Sequence, residues 1–244
     1  MPPITNSEVE RYVRENISEF HNKRLESINK IKLEQILKRK NPYLFKAKNI
    51  IAAPDLVKTL LDAHLSSQEE TIFGDFLKGL AIYINKTVFN GSKSEGEGID
   101  LKFNSDGVTY IVAIKSGPNW GNSSQIQKMK DNFNKAKRIL RTSNSKMNIM
   151  AVNGCCYGVD NQPDKGEYQK LCGQSFWQFI SGDESLFTQI IEPLGHEARE
   201  RNEEFMELYA QIITKFTCSF AEKFCNDGKI DWERLVIFNS GNKR

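Results

Sequence analysis

Two short apolar segments folded back on each other by a polar turn constrain this chain more than any other feature. Gly98-Ile-Asp-Leu-Lys-Phe103 leads into Asn104-Ser-Asp-Gly107, and Val108-Thr-Tyr-Ile-Val-Ala-Ile-Lys115 leads out. In the second segment Val108, Tyr110, Val112 and Ile114 fall on one side and Thr109, Ile111, Ala113 and Lys115 on the other, the period-two alternation of a strand. Asn, Asp and Gly between two such runs mark a hairpin. Pairing Phe103 with Val108 across a four-residue turn sets Asp100 opposite Ile111 and diagonal to Ala113, near the face that carries Lys115. A carboxylate beside a lysine is the smallest side-chain set for metal-dependent phosphodiester hydrolysis. The plain alternative is a cross-strand ion pair contributing about 0.2 to 1 kcal/mol.

Helical sequence surrounds the hairpin. From Ser7 to about Lys40, Val9, Val13, Ile17, Phe20, Ile28, Ile31 and Leu37 recur near helical spacing, which predicts one long amphipathic helix or two in succession. Pro42 ends that stretch, because the residue before proline is pushed out of the helical region. Asp55 is a plausible N-cap for a second helix, and a third is expected over about Ser67 to Ile84. After Lys115 the polar loop Ser116-Gly-Pro-Asn-Trp-Gly-Asn-Ser-Ser124 precedes a helix with the stripe Ile126, Met129, Phe133, Ala136 and Leu140; Ser124 and Gln127 have capping-box spacing. A strand over Asn148 to Asn153, a short strand or helix over Phe176 to Ile180, a helix over Ser185 to Leu194 and a long one over Glu197 to Cys225 complete the expected elements. Strands with helices before and after predict an α/β or α+β fold built on a mixed central β-sheet.

The 244 residues, 39% of them hydrophobic, can build one substantial core, so a single domain is expected over 1–244, with helical segments at 1–50 and 183–244 around a core at 51–182. No apolar run approaches the roughly 18 to 20 residues that span a bilayer, and nothing at the start resembles a signal peptide; a soluble, cytoplasmic protein is expected. Five cysteines without CxxC spacing indicate neither a disulfide framework nor a zinc site. A net charge of +3 does not by itself name a polyanion partner, although Lys and Arg crowd Lys30 to Lys48 and Lys128 to Arg141. His21, His64 and His196 lack metal-ligand spacing.

Asp100, then a strand ending Ala113-Ile-Lys115, then Ser116-Gly-Pro-Asn-Trp-Gly-Asn-Ser-Ser-Gln125, resembles the PD-(D/E)XK nucleases, and in particular type II restriction endonucleases. The order of parts, with Asn41-Pro-Tyr-Leu-Phe45 and Glu70-Thr-Ile-Phe-Gly74 ahead of the hairpin, is similar to PmeII-type enzymes and to those that cut interrupted GG/CC sites. The resemblance runs from about Asn41 onward. It departs from the family pattern at Ala113, where the strand's second acidic residue belongs. The resemblance implies that a helix carboxylate replaces it, and Glu70, four residues before Gly74 on one helix face, is the first choice; Glu97, three residues before Asp100, is the second, with Glu69 and Glu95 behind them. The plain reading of Glu70 is a helix glutamate.

The resemblance further implies an Mg²⁺-dependent reaction on double-stranded DNA, with Asp100, Glu70 or Glu97 and the Ile114 carbonyl as ligands and Lys115 stabilising charge on the phosphate. Ser116, Asn119, Asn122, Ser123, Ser124, Gln125 and Lys128 are the expected DNA contacts; an ordinary polar helix cap is their plain alternative. A homodimer acting on a short, interrupted, symmetric site, protected by a methyltransferase encoded nearby, follows from the same resemblance. Two rivals remain open: a repair or mobile-element nuclease of the same superfamily, and a DNA-binding module that has lost its metal site.

Overall fold

A computed structural model of the chain describes residues 4–143 and 145–242, the side chain of Ser143 excepted. Four helices precede the sheet: α1 (Asn6–Asn29), α2 (Leu33–Arg39), α3 (Pro42–Ala47) and α4 (Ala53–Phe89). The long amphipathic stretch is therefore two helices, and Pro42 opens the next one at its first position, where a missing N–H costs nothing. Asn41 caps α3 by accepting from Tyr43 and Leu44 N–H. The two helices expected after Asp55 are one continuous helix of 37 residues, and Asp55 lies in its first turn instead of capping it. Nothing between Leu65 and Ser67 breaks a helix, and Gly74 and Gly79 lower its propensity without ending it.

A mixed five-stranded sheet runs in the order β1 (Ser92–Lys93), β2 (Leu101–Ser105), β3 (Val108–Lys115), β4 (Ile149–Cys155) and β5 (Gln169–Cys172). The pairs β1–β2 and β2–β3 are antiparallel, and β3–β4 and β4–β5 are parallel. Helix α5 (Ser123–Ser143) makes the crossover from β3 to β4. The β2–β3 register corrects the expected one. Ser105 pairs with Val108 and Phe103 with Tyr110, so the turn is the two residues Asp106-Gly107, both at positive φ (50° and 75°). Asp-Gly is the pair that tolerates that backbone, and its twist matches the strands' own. Extending the register sets Asp100 against Ala113 rather than Ile111.

After the sheet come α6 (Gln174–Ser181), α7 (Leu186–Gln189), α8 (Ile191–Leu194), α9 (Ala198–Phe224), the hairpin β6 (Cys225–Asn226) and β7 (Lys229–Ile230), and α10 (Trp232–Ser240). The chain divides into two compact units. One comprises Met1–Ser18 and Phe73–His196 and contains the five-stranded sheet. Its core under α5 is Ile99, Ile111, Ala113, Met129, Phe133, Ile149, Ala151 and Tyr168.

The other unit comprises Glu19–Ile72 and Glu197–Arg244. Its core joins Ile28, Leu33, Ile36 and Leu37 to Leu56, Leu60 and Leu61 and to Phe205, Phe216, Phe220 and Phe224. The apolar faces here of α1, α2 and α9 thus find partners within the chain, so their amphipathic pattern alone does not call for a second subunit. Among the described residues no helix is long and apolar enough to cross a membrane.

Candidate active site at the end of the central strand

Asp100 lies one residue before β2, at the point where the β2–β3 ladder gives out. Its backbone N–H still donates to the Val112 carbonyl (2.8 Å). Its side chain then continues the ladder: Oδ2 accepts from the Ile114 N–H at 2.7 Å. A charged acceptor on a strand N–H is a strong bond and fixes the carboxylate's orientation. Gly98, at φ +71°, makes the preceding turn possible and lets Ile99 drop into the core. The second oxygen, Oδ1, lies 3.3 Å from the Lys78 ammonium of α4. Lys78 in turn reaches Asp75, one helical turn earlier, at 3.9 Å. One ammonium therefore stands between two carboxylates, with the Lys78 side chain 34% exposed.

Helix α4 reaches this place because Gly74 has no side chain: a Cβ there would lie 3.2 Å from the Cβ of Ser116, just beyond β3. Cys156 follows β4, buried beside the same charges. Burial pushes its thiol up to about 12, with the Lys78 ammonium opposing and Asp100 adding to the shift. It is a packed thiol, not a nucleophile.

Lys115 takes a different direction. Its Nζ lies 4.6 Å from the centroid of the Trp120 ring. Trp120 Nε1–H donates to Asn153 Oδ1 (3.0 Å), and Asn153 Nδ2 donates to the Ala113 carbonyl (3.2 Å). Ala113 itself is completely buried against α5, alongside Ile111, Met129 and Phe133. The departure at Ala113 is then part of the packing, since a carboxylate at this point would enter an apolar core unpaired. Among the described residues, the ion partner of Asp100 is Lys78, and no ion pair joins Asp100 to Lys115.

The other expected site residues fall in three places. Glu70 is exposed on the part of α4 that belongs to the unit without the sheet. Glu97 lies 3.7 Å from Lys128 and 3.6 Å from Lys135, both on α5. In the loop, Asn122 and Gln125 form the capping box: Asn122 N–H donates to Gln125 Oε1 (2.9 Å) and Gln125 N–H to Asn122 Oδ1 (3.0 Å). That corrects the expected Ser124–Gln127 box by two residues, and leaves Ser123 and Ser124 exposed in the first turn. Asn119 is exposed and Ser116 half-buried, its carbonyl accepting from Tyr157 N–H (3.1 Å).

A brace that the sequence did not announce holds this loop. Lys170 of β5 donates to the Pro118 carbonyl (3.1 Å) and lies 3.1 Å from Asp160 Oδ2, while Lys165 lies 3.0 Å from Asp160 Oδ1. Asp75, Lys78, Asp160 and Lys170 look like ordinary solvated charges in sequence. Asn153 carried a signal, a polar residue inside an apolar buried strand. Among the described residues no group of three His, Cys, Asp or Glu side chains converges tightly enough to hold a metal ion by itself.

The family model of the type II restriction endonuclease EcoO109I matches residues 7–202. No curated protein matches the sequence.

Proposed function

Because this chain belongs to the EcoO109I family of type II restriction endonucleases, we propose that it hydrolyses both strands of duplex DNA at a short, interrupted, symmetric site, with Asp100 at the centre of a PD-(D/E)XK-type active site. The observation that carries this reading is the fixed carboxylate: Asp100 Oδ2 is held by the Ile114 N–H and Oδ1 faces outward to a cation.

Mg²⁺ fits these residues. Two carboxylates already share one positive charge, and Mg²⁺ needs only one or two protein carboxylates when substrate phosphate and water complete its shell. Asp100 would hold it, with the Ile114 carbonyl and a second acid. Asp75 is the acid that shares Lys78 with Asp100, whereas Glu97 is held by two lysines. Glu70 remains the helix carboxylate that the family resemblance names. Held there, Mg²⁺ would acidify a water and offset charge on the phosphate.

The chain's own groups do the rest. The exposed start of α5 offers free N–H groups and the hydroxyls of Ser123 and Ser124 to backbone phosphates. Asn119 lies exposed in the same loop, and Ser116 beside β3. Asn122 and Gln125 act first as the cap that sets the angle of α5, with their remaining hydrogen-bonding capacity available to DNA. Lys128 gains access to phosphate when it leaves Glu97. Lys115, at the end of β3, adds positive charge to the DNA channel.

A homodimer matches a two-fold symmetric site, and a methyltransferase encoded nearby would protect the host's own sites. A cytoplasmic location belongs to the same reading.

Plasmid DNA incubated with the protein and Mg²⁺ tests it, with Asp100→Ala, Glu70→Ala and Asp75→Ala in parallel. Discrete bands from the wild type, lost in Asp100→Ala, are expected. A smear or structure-selective nicking favours a repair or mobile-element nuclease. DNA binding without cleavage in Mg²⁺ or Mn²⁺ favours a module that has lost its chemistry, a reading to which the fully buried Ala113 gives weight. Light scattering should give about twice the 27.9 kDa chain mass; a monomer with and without DNA would sink the dimer.

A further inference from the structure

We propose that Lys78, on helix α4, is the catalytic ammonium of this site, meeting the scissile phosphate beside Asp100, and that Lys115 serves DNA binding instead. The proposal rests on the nuclease reading above and deepens it.

Three observations on separate elements converge. Lys78 is the ammonium next to the fixed carboxylate, 3.3 Å from Asp100 Oδ1, and its side chain is one-third exposed, so a phosphate can reach it from solvent. Lys115 lies over the Trp120 ring, and Trp120 is tied through Asn153 to the backbone of β3. Bringing Lys115 to Asp100 would mean leaving that stack. Finally, the helix that carries Lys78 is seated close to the strand by Gly74, whose missing side chain leaves room for Ser116. Lys78 lies four residues beyond Gly74, so the two share one face of α4.

Between Asp75 and Asp100 the ammonium occupies the place of a cation. Asp75 and Asp100 would hold a divalent cation in its stead, and the flexible Lys78 side chain, released from them, would turn its charge toward a non-bridging oxygen of the phosphate. Water adds to phosphorus and gives its proton to solvent, the bond to the 3′ oxygen breaks, and that oxygen takes up a proton, leaving a 5′-phosphate and a 3′-hydroxyl. Lys78 moves no proton; its charge is strongest where the phosphoryl oxygens gain theirs.

The full-length chain and variants Lys78→Ala, Lys78→Gln, Lys78→Arg, Lys115→Ala and Asp100→Ala are compared in three measurements. These are single-turnover cleavage at saturating DNA and Mg²⁺, DNA affinity in Ca²⁺, and calorimetric Ca²⁺ binding without DNA. Lys78→Ala and Lys78→Gln are expected to lose about 100-fold or more in rate while binding DNA nearly as tightly. Lys78→Arg should recover part of that loss. Both neutral variants should bind Ca²⁺ more tightly than the wild type, since a competing charge has gone; a merely structural lysine would leave Ca²⁺ binding unchanged or weaker. Lys115→Ala should lose DNA affinity, with a smaller loss in rate at saturation. Cleavage by Lys78→Gln within a few-fold of the wild type, with Lys115→Ala down about 100-fold at saturation, would overturn the proposal and leave the nuclease reading standing. A wild type that cleaves no DNA, or full activity in Asp100→Ala, would overturn both.

Discussion

At the scale of single residues, the site depends on groups that hold other groups still. Asp160 touches no reacting atom in the proposed chemistry, yet it gathers Lys165 and Lys170, and Lys170 holds the Pro118 carbonyl of the loop beyond β3. Burial alone would push its acid up. The Lys165 and Lys170 ammonium groups and the Gln162 N–H outweigh that and hold it down at about 2, against an ordinary 3.8. With the folded value below the unfolded one, the stabilisation is complete above about pH 4 and fades as the pH falls toward 2. Asp160→Asn should therefore cost about 1 to 2 kcal/mol at neutral pH, or a few degrees in Tm. The gap between variant and wild type should close in acid. Thermal melts at pH 7 and pH 3 check both statements, and equal melting temperatures at pH 7 would show that the brace contributes nothing. His21 titrates in a different range. It is buried, neither ring nitrogen has a hydrogen-bond partner among the described residues, and burial, then Arg24 and Arg201, lower its pKa below 6.5. A histidine lowered this way binds its proton more readily unfolded, so stability falls as the pH drops below 6.5. His21→Phe should flatten that slope, read as Tm between pH 7.5 and 5.5; an unchanged slope would mean that His21 does not set it.

Elements are held at the site by close approaches where one Cβ decides the fit. Gly154, in β4 beside Ile114, faces the ring of Phe176 on α6, which is fully buried, and a Cβ there would run into that ring. Gly154→Ala should overpack this contact and destabilise the protein by about 1 to 3 kcal/mol, measured by urea unfolding. A neutral result would show that α6 can shift. Position 154 also marks the limit of what local pattern discloses. The alternation of β3 and the stripe Met129, Phe133 on α5 were legible because each reports one face of one element. The hairpin register was not, since Asn104 to Gly107 permits a two-residue or a four-residue turn, and only the pair of positive φ angles decides it. The helix start slipped for the same reason: Asn122, Ser123 and Ser124 are all competent caps. Asp100 and Lys115 could be singled out because they flank a hairpin. Lys78 and Asp75 could not, because Lys78 meets Asp100 across some 22 residues of sequence, Asp75 joins them only through Lys78, and both depend on how α4 docks at Gly74.

For the molecule as a whole, a net charge of +3 gives little long-range pull on DNA, so attraction has to come from a concentrated surface. Helix α5 carries Lys128, Lys130, Lys135, Lys137, Arg138 and Arg141, cations spread along the crossover from β3 and around about half of the helix. Yet it is partly neutralised: Glu97 sits between Lys128 and Lys135, and Glu167 lies 2.7 Å from Lys130. These exposed pairs are individually weak, about 0 to 1 kcal/mol, so a duplex can take the lysines from the glutamates. If all six cations reach phosphates, log K for DNA should fall with log salt with a slope near −5; if the three pairs persist, the slope should be nearer −3. Glu97→Gln separates the roles open to that residue. Held as it is by two lysines, its loss should tighten DNA binding at low salt and leave cleavage intact. Were Glu97 a metal ligand, cleavage would collapse while binding in Ca²⁺ weakened. Fluorescence anisotropy across a salt series, with cleavage assayed on the same preparation, distinguishes the two outcomes, and a slope unaffected by the substitution would remove α5 from the DNA-facing surface.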